Sequence, residues 1–243
     1  QGNKHQQLLE RLEIKLQRNS DLNVATPLPL SRRIAVRVAE HADSVHAAEG
    51  NLLTPVDQHN LRSLLWNNSE WVTGDKSDFL SKRSLWNTFY KTKAILFEVN
   101  EKDFSLAVNP VLQQQQSIES DYDERVFLNS KGLTFRGMIA NRIGFSAYLT
   151  DNQERGPQFV QERINTSPIP VPRAGYFKKI IKTGTDYFEA RGSINFTAAK
   201  YLDFQFGYDK NFIGNGYRSL FLSDFGNNYL FLKINTRIWK LNY

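Results

Sequence analysis

The sequence predicts a mostly antiparallel β chain preceded by a small helical part, and three observations carry that expectation. Near residue 93 the apolar period changes from that of a helix to two. Beyond that point Phe188, Ala190, Gly192, Ile194 and Phe196 alternate with Glu189, Arg191, Ser193 and Asn195, a run too regular for a loop. The composition agrees: 17 Phe and 10 Tyr against a single Met favour strands over helices or disorder.

The first part, residues 1 to 92, reads as helical and loop-rich. Leu8, Leu9, Leu12 and Leu16 line one face of a short amphipathic helix. Pro27 and Pro29 interrupt it, and Ser31 caps a second helix reaching about His46. In Thr54-Pro55-Val56-Asp57 a cap, a first-turn proline and an early acid precede Leu61, Leu64 and Leu65, which is a start signal for a third helix.

The second part, residues 93 to 243, reads as strands joined by long loops. Phe104, Leu106 and Val108 share one face; Leu133, Phe135, Gly137 and Ile139 share another, and Asn141-Arg142 turns the chain into Ile143, Phe145, Ala147 and Leu149. Leu202, Phe204 and Phe206 follow the clearest strand, and a last strand sets Leu230, Leu232, Ile234 and Ile238 against Lys233, Asn235 and Arg237. About seven strands are counted in this way. Leu112 to Lys131, with its Gln113 to Gln116 tract, reads as a polar surface loop, and Asp151 to Asp186, with Arg173, Lys178, Lys179 and Lys182, as a second long connection. Pattern alone leaves two ways to bury these faces: a soluble sandwich, or a membrane barrel with a wet lumen and aromatic girdles.

Several chemistries are excluded. With no cysteine there is no disulfide, thiolate metal site or cysteine nucleophile. His41 and His46 are five apart, off the spacing that places two ligands on one helical face, so no metal is expected, and no cofactor fingerprint is present. Without a nucleophile elbow, phosphate-binding loop or zinc-protease signature, no catalytic residue is assigned. Asp203, Asp209 and Asp224 flank one loop and could approach in space as the paired carboxylates of a glycosidase do. No run approaches the roughly 18 apolar residues of a spanning helix. A net charge of +6 suits an acidic partner such as lipopolysaccharide phosphates or an anionic polysaccharide, while the scattered basic residues argue against nucleic acid. The chain begins at Gln1 without an initiator Met, as expected after removal of a targeting segment or trimming.

The most informative stretch is Phe204 to Asp224. It opens as a strand, passes Gly207, Gly214 and Gly216, and re-enters apolar sequence at Leu220. Glycine permits close backbone approach there, and Lys210, Asn211, Tyr217, Arg218 and Asp224 offer the hydrogen-bonding groups that would recognise a polar partner. A plain hairpin connection is the simpler reading of the same glycines.

Asn211-Phe212-Ile213-Gly214-Asn215-Gly216-Tyr217-Arg218-Ser219-Leu220, with Leu222-Ser223-Asp224 and Asn228 to Ile234, resembles the central motif of the capsule-assembly (Wzi-type) outer-membrane barrels of Bacteroidetes, a group that includes barrels associated with gliding motility. Asn109-Pro110-Val111, the Gly132 to Thr150 hairpin and Gly184-Thr185-Asp186-Tyr187 are similar to that family too. The likeness covers most of residues 94 to 243. It implies an all-β fold, an antiparallel outer-membrane β-barrel or part of one, with the helical subdomain periplasmic. It also implies a non-enzymatic protein that binds or organises capsular or other surface polysaccharide, with Lys210, Asn211, Tyr217, Arg218 and Asp224 as the contacts. The alternative is a structural subunit of a gliding-motility or protein-secretion complex, with other envelope proteins as partners. Family barrels are longer than this strand count, so the resemblance implies a portion of a barrel, closure by a partner, or more strands than the pattern counts.

Overall fold

The computed structural model describes residues 3–17, 31–82, 85–86, 88–120, 123–166, 176–181, 184–199, 202–213, 218–223, 226–238 and 241–242. The chain forms two compact units: Gln1–Phe97 with Asn211–Ser223, and Glu98–Lys210 with Asp224–Tyr243.

The first unit contains helices α1 (Asn3–Leu16), α2 (Arg32–Glu49) and α3 (Pro55–Trp66). Leu8, Leu9 and Leu12 of α1, the small face Ala35, Val36, Val38, Ala39 and Ala42 of α2, and Leu61, Leu64 and Leu65 of α3 form one core. Ser31 stands at the start of α2 without making a side-chain cap, and the helix runs past His46 until Gly50, at φ 75, ends it. At α3 the expected start signal is a full capping box: Asp57 N–H donates to Thr54 Oγ1 at 3.2 Å and Thr54 N–H to Asp57 Oδ2 at 3.1 Å. His5 is buried beside Ser63, with Nε2 and Oγ 3.2 Å apart. Its burial, helped by the nearby charge of Lys4, lowers the imidazole pKa to about 4.

The second unit is an antiparallel sheet. Its strands are β1 (Phe97–Glu101), β2 (Phe104–Ser117), β3 (Val126–Ile139), β4 (Ile143–Arg155), β5 (Tyr176–Ile181), β6 (Gly184–Ala199), β7 (Leu202–Asp209), β8 (Tyr229–Ile238) and β9 (Leu241–Asn242). They lie in the order β1-β2-β3-β4-β6-β7-β8-β9, with β5 beside β6. Among the described residues nine strands thus stand where about seven were counted. Among the described residues no ladder joins the first strand to the last, so the sheet is open there.

Two expected loops are largely regular structure. The glutamine tract is the end of β2: Gln113 to Gln116 pair with Ser130 to Phe127 of β3, so the ladder takes up backbone groups that a loop would leave to water. The second connection contains the end of β4, helix α4 (Gln158–Thr166) and β5. Of its basic residues, Lys178 and Lys179 fall in β5, while Arg173 and Lys182 lie outside the described residues. The β3–β4 turn is as expected, with Ala140 and Asn141 at φ 51 and 52. Ala140 N–H donates to Asp103 O at 2.7 Å and Asn141 Nδ2 to Lys102 O at 3.0 Å, tying this turn to its neighbour.

Register separates the sheet into two faces. Directly opposed residues share a face, so Phe104, Ile139, Ile143, Phe196, Phe204 and Ile234 form one transverse row, and Phe145, Ile194, Phe206 and Leu232 belong to the next. From β2 to β8 this face is apolar or Gly except for Tyr208 and Thr236, until Lys131 meets Asp151 at one end. The other face carries Asn109, Thr134, Tyr148, Thr150, Asn152, Glu189, Arg191, Gln205 and Lys233. Burial runs against the usual order. Leu230, Leu232 and Ile194 are 66%, 61% and 49% exposed, while Thr150, Asn152 and Thr185 are 0%, 3% and 2% exposed. In a water-soluble sheet the apolar face is the one packed away. Here the polar face is the sheltered one.

Candidate functional site

The polar face brings together residues far apart in sequence. Tyr148 of β4 lies directly opposite Arg191 of β6, and Asp209 of β7 directly opposite Tyr229 of β8. The β6–β7 register continues past Gly192–Tyr208 to set Arg191 beside Asp209, with Nη1 and Oδ1 3.8 Å apart. Four adjacent strands therefore contribute one row: Tyr148, Arg191, Asp209, Tyr229. The Arg191 guanidinium stands 4.3 Å over the Tyr148 ring, and its Nε is 3.3 Å from Glu189 Oε1. Tyr229 meets Phe231 edge to face at 6.1 Å. The row combines two half-buried rings with a guanidinium and the Asp209 carboxylate, and Glu189 adds a second carboxylate beside it.

Nearer the Lys131–Asp151 end the same face is tightly built. Asn152 Nδ2 donates to Thr150 Oγ1 at 3.1 Å and to the carbonyls of Thr150 and Tyr187 at 3.2 and 3.4 Å. Tyr187 Oη donates to Glu154 Oε2 at 2.9 Å, and Ile164 and Val160 of α4 pack against the ring. At its start α4 is held by Glu119, whose Oε2 accepts from Gln158 N–H at 2.8 Å. This helix therefore covers one end of the polar face.

The residues singled out in the sequence fall as follows. Lys210 directly follows β7 and is half-buried, and its N–H donates to Asp209 Oδ1 at 2.7 Å. Asn211 is buried and Arg218 exposed, both in Asn211–Ser223, the segment that belongs to the helical unit. That segment folds back on itself: Leu220 N–H donates to Ile213 O at 2.8 Å, and Ile213 N–H to Ser219 Oγ at 3.0 Å. Tyr217, Asp224, Gly214 and Gly216 lie outside the described residues. Gly207 is a strand residue, buried within β7 rather than in a loop. A Cβ there would come within 2.8 Å of Gly192 O and of Ser193 Cβ, so the position requires glycine for close strand packing. Asp203 and Asp209 are six residues apart on one face of β7, about 20 Å along the strand, well beyond the separation of a glycosidase pair. Asp203 instead accepts from Thr197 Oγ1 at 2.6 Å.

Sequence reasoning placed Arg191 and Glu189 on the polar face but did not find the row. Its members come from four segments whose alignment is set by register, which no spacing within one strand reveals. No protein-family model, curated protein or solved structure matches the chain.

Proposed function

We propose that the sheet is the wall, or part of the wall, of an outer-membrane β-barrel, and that this barrel binds or organises surface polysaccharide at the cell exterior. The observation that carries the membrane reading is the inverted sheet: apolar residues on the exposed face, polar residues on the sheltered one. A bilayer covers such an exposed face, while the sheltered face becomes a polar lumen. No helix among the described residues is long and apolar enough to cross a membrane, so spanning falls to the strands. From β2 to β9 the pairings described are all antiparallel, which is how the strands of a bacterial barrel wall pair. Membrane lipid and lipopolysaccharide are then the surrounding partners, and the helical part falls to the periplasm.

The polysaccharide reading is supported by the resemblance of the Asn211 to Asp224 motif to capsule-assembly barrels and by the aromatic and charged side chains on the polar face. No catalytic step is assigned. The membrane part is tested by extraction and gel mobility with and without boiling, alongside circular dichroism. A β-rich species that needs detergent and shifts on boiling is expected; a detergent-free soluble monomer overturns it. The polysaccharide part is tested by alanine at Asn211 and Arg218, with loss of retained surface polysaccharide expected in a correctly inserted barrel and unchanged retention refuting the assignment.

A further inference from the structure

We infer that the row Tyr148, Arg191, Asp209, Tyr229 is a sugar-binding platform whose ligand is an uncharged, hydroxyl-rich glycan segment rather than an acidic one. This rests on the barrel reading above and adds both a place and a ligand class to it.

The row crosses four adjacent strands, so its two tyrosines are three strand spacings, about 14 Å, apart. That is the reach of a short oligosaccharide lying across the strands. The ring of Tyr229, with Phe231 at its edge, offers apolar area to a sugar face, and the Arg191 and Asp209 side chains, 31% and 37% exposed, offer donors and acceptors to hydroxyls. Sugar recognition needs this pairing of flat apolar area with fixed polar groups. Phe188, Ala190 and Gly192 back the row on the opposite face of β6, and Tyr148 is three residues, about 10 Å along β4, from the Lys131–Asp151 rim. The platform thus sits just inside that rim, at the end of the sheet where the long connections leave.

Charge decides the ligand class. Arg191 faces Glu189 at 3.3 Å and Asp209 at 3.8 Å, one cation between two carboxylates. A uronate, sulfate or phosphate brought here would meet a guanidinium already paired and a surplus negative charge, and desolvating it would go uncompensated. Hydroxyl groups carry no such penalty and can use both signs. Of the other cations of this face, Arg136 and Lys233 stand one and two rows further along, in the rows of Phe231 and Gln205, and Arg237 lies two residues beyond Asn235.

The test uses the full chain refolded in detergent, with its mobility shift on boiling as the check that the wall is intact, against an array of neutral and acidic glycans. Retention of neutral glycans is expected, weakened at least roughly tenfold by Tyr148→Ala and by Tyr229→Ala. Glu189→Gln combined with Asp209→Asn, which frees the Arg191 charge, is expected to gain acidic glycans. Preference of the unmodified protein for acidic glycans, retention of none, or neutral binding unchanged in both tyrosine variants overturns the inference. Should Tyr148→Ala lose the boiling shift, Tyr229→Ala and the double acid variant decide. Loss of the shift in the unmodified chain refutes the barrel instead, so the two failures are distinct.

Discussion

Asp57 on α3 and Arg11 on α1 form a two-point pair, Nε to Oδ1 at 2.9 Å and Nη2 to Oδ2 at 3.2 Å. Lys15 Nζ reaches the same carboxylate at 2.9 Å, and the Asp57 side chain is 2% exposed. Burial alone would raise its pKa, but the hydrogen bonds from Arg11, Lys15 and Thr54 more than offset this and hold it well below the usual carboxylate range. Asp57→Ala removes the pair and the capping box together and is expected to destabilise the helical unit by about 3 kcal/mol. Thr54→Ala, which removes only part of the cap, is expected to cost about 1 kcal/mol. Urea unfolding followed by the helical circular dichroism signal reads both; equal midpoints for Asp57→Ala and the unmodified chain would show that the pair contributes nothing.

Acid acts on this unit in two windows. The folded pKa of His5 lies below its ordinary 6.5, at about 4, so within that interval the unfolded chain binds the extra proton. Stability is full above pH 6.5 and falls as pH drops toward 4. Asp57 is also depressed, so its contribution holds above its ordinary 3.8 and is lost only as pH falls further. Stability measured against pH is expected to decline in both intervals, and His5→Gln to flatten the upper decline while leaving the lower one. A variant curve parallel to the original between pH 6.5 and 4 would rule out His5 as the titrating group.

The two sheet faces should respond oppositely to charge. Leu232 is on the exposed apolar face and Gln205 on the polar one. For a membrane wall, Leu232→Lys is expected to reduce folding stability in lipid by about 2–4 kcal/mol, and Gln205→Lys to change it by less than about 1 kcal/mol. Refolding yield into liposomes, scored by the mobility shift, makes the comparison. Tolerance of Leu232→Lys would argue that this face meets water.

At Gly207 the constraint is backbone, not side chain. Gly207→Val would press its Cβ on Gly192 O and Ser193 Cβ, each 2.8 Å away, and on the Phe231 ring at 3.2 Å. The expected loss is about 1–3 kcal/mol, with slower refolding. Adding Phe231→Ala should restore only part of it, because a ring can move aside and a ladder carbonyl cannot. Full restoration would mean that the ring alone sets the limit.

Much of the architecture was legible because its causes are local. The alternation from Phe188 to Phe196, the Thr54 capping box and the Asn141 turn depend on neighbours a few residues away, and each stands where the pattern placed it. Gln113 to Gln116 were misread because polar residues on both faces look like a loop, although their backbone groups are taken up by Ser130 to Phe127. The site was legible only in part. Arg191 was visible as a charge of an alternating strand and Asp209 only as a carboxylate flanking a loop, and their approach depends on the register of β6 on β7, set by residues distributed over both strands.

The Lys131–Asp151 row has a further consequence for the proposed wall. Below it the apolar face runs from Leu133 to Ile139 on β3 and from Ala190 to Phe196 on β6. At the usual rise each segment measures about 20 Å, and a barrel tilt near 45° reduces it to roughly 14 Å of oil-facing height. Such a wall is mismatched to a bilayer of average thickness. Lipid would thin around it, and the strain of that thinning favours residence in the thinnest membrane of the cell, so that hydrophobic thickness becomes a sorting signal written into one ladder.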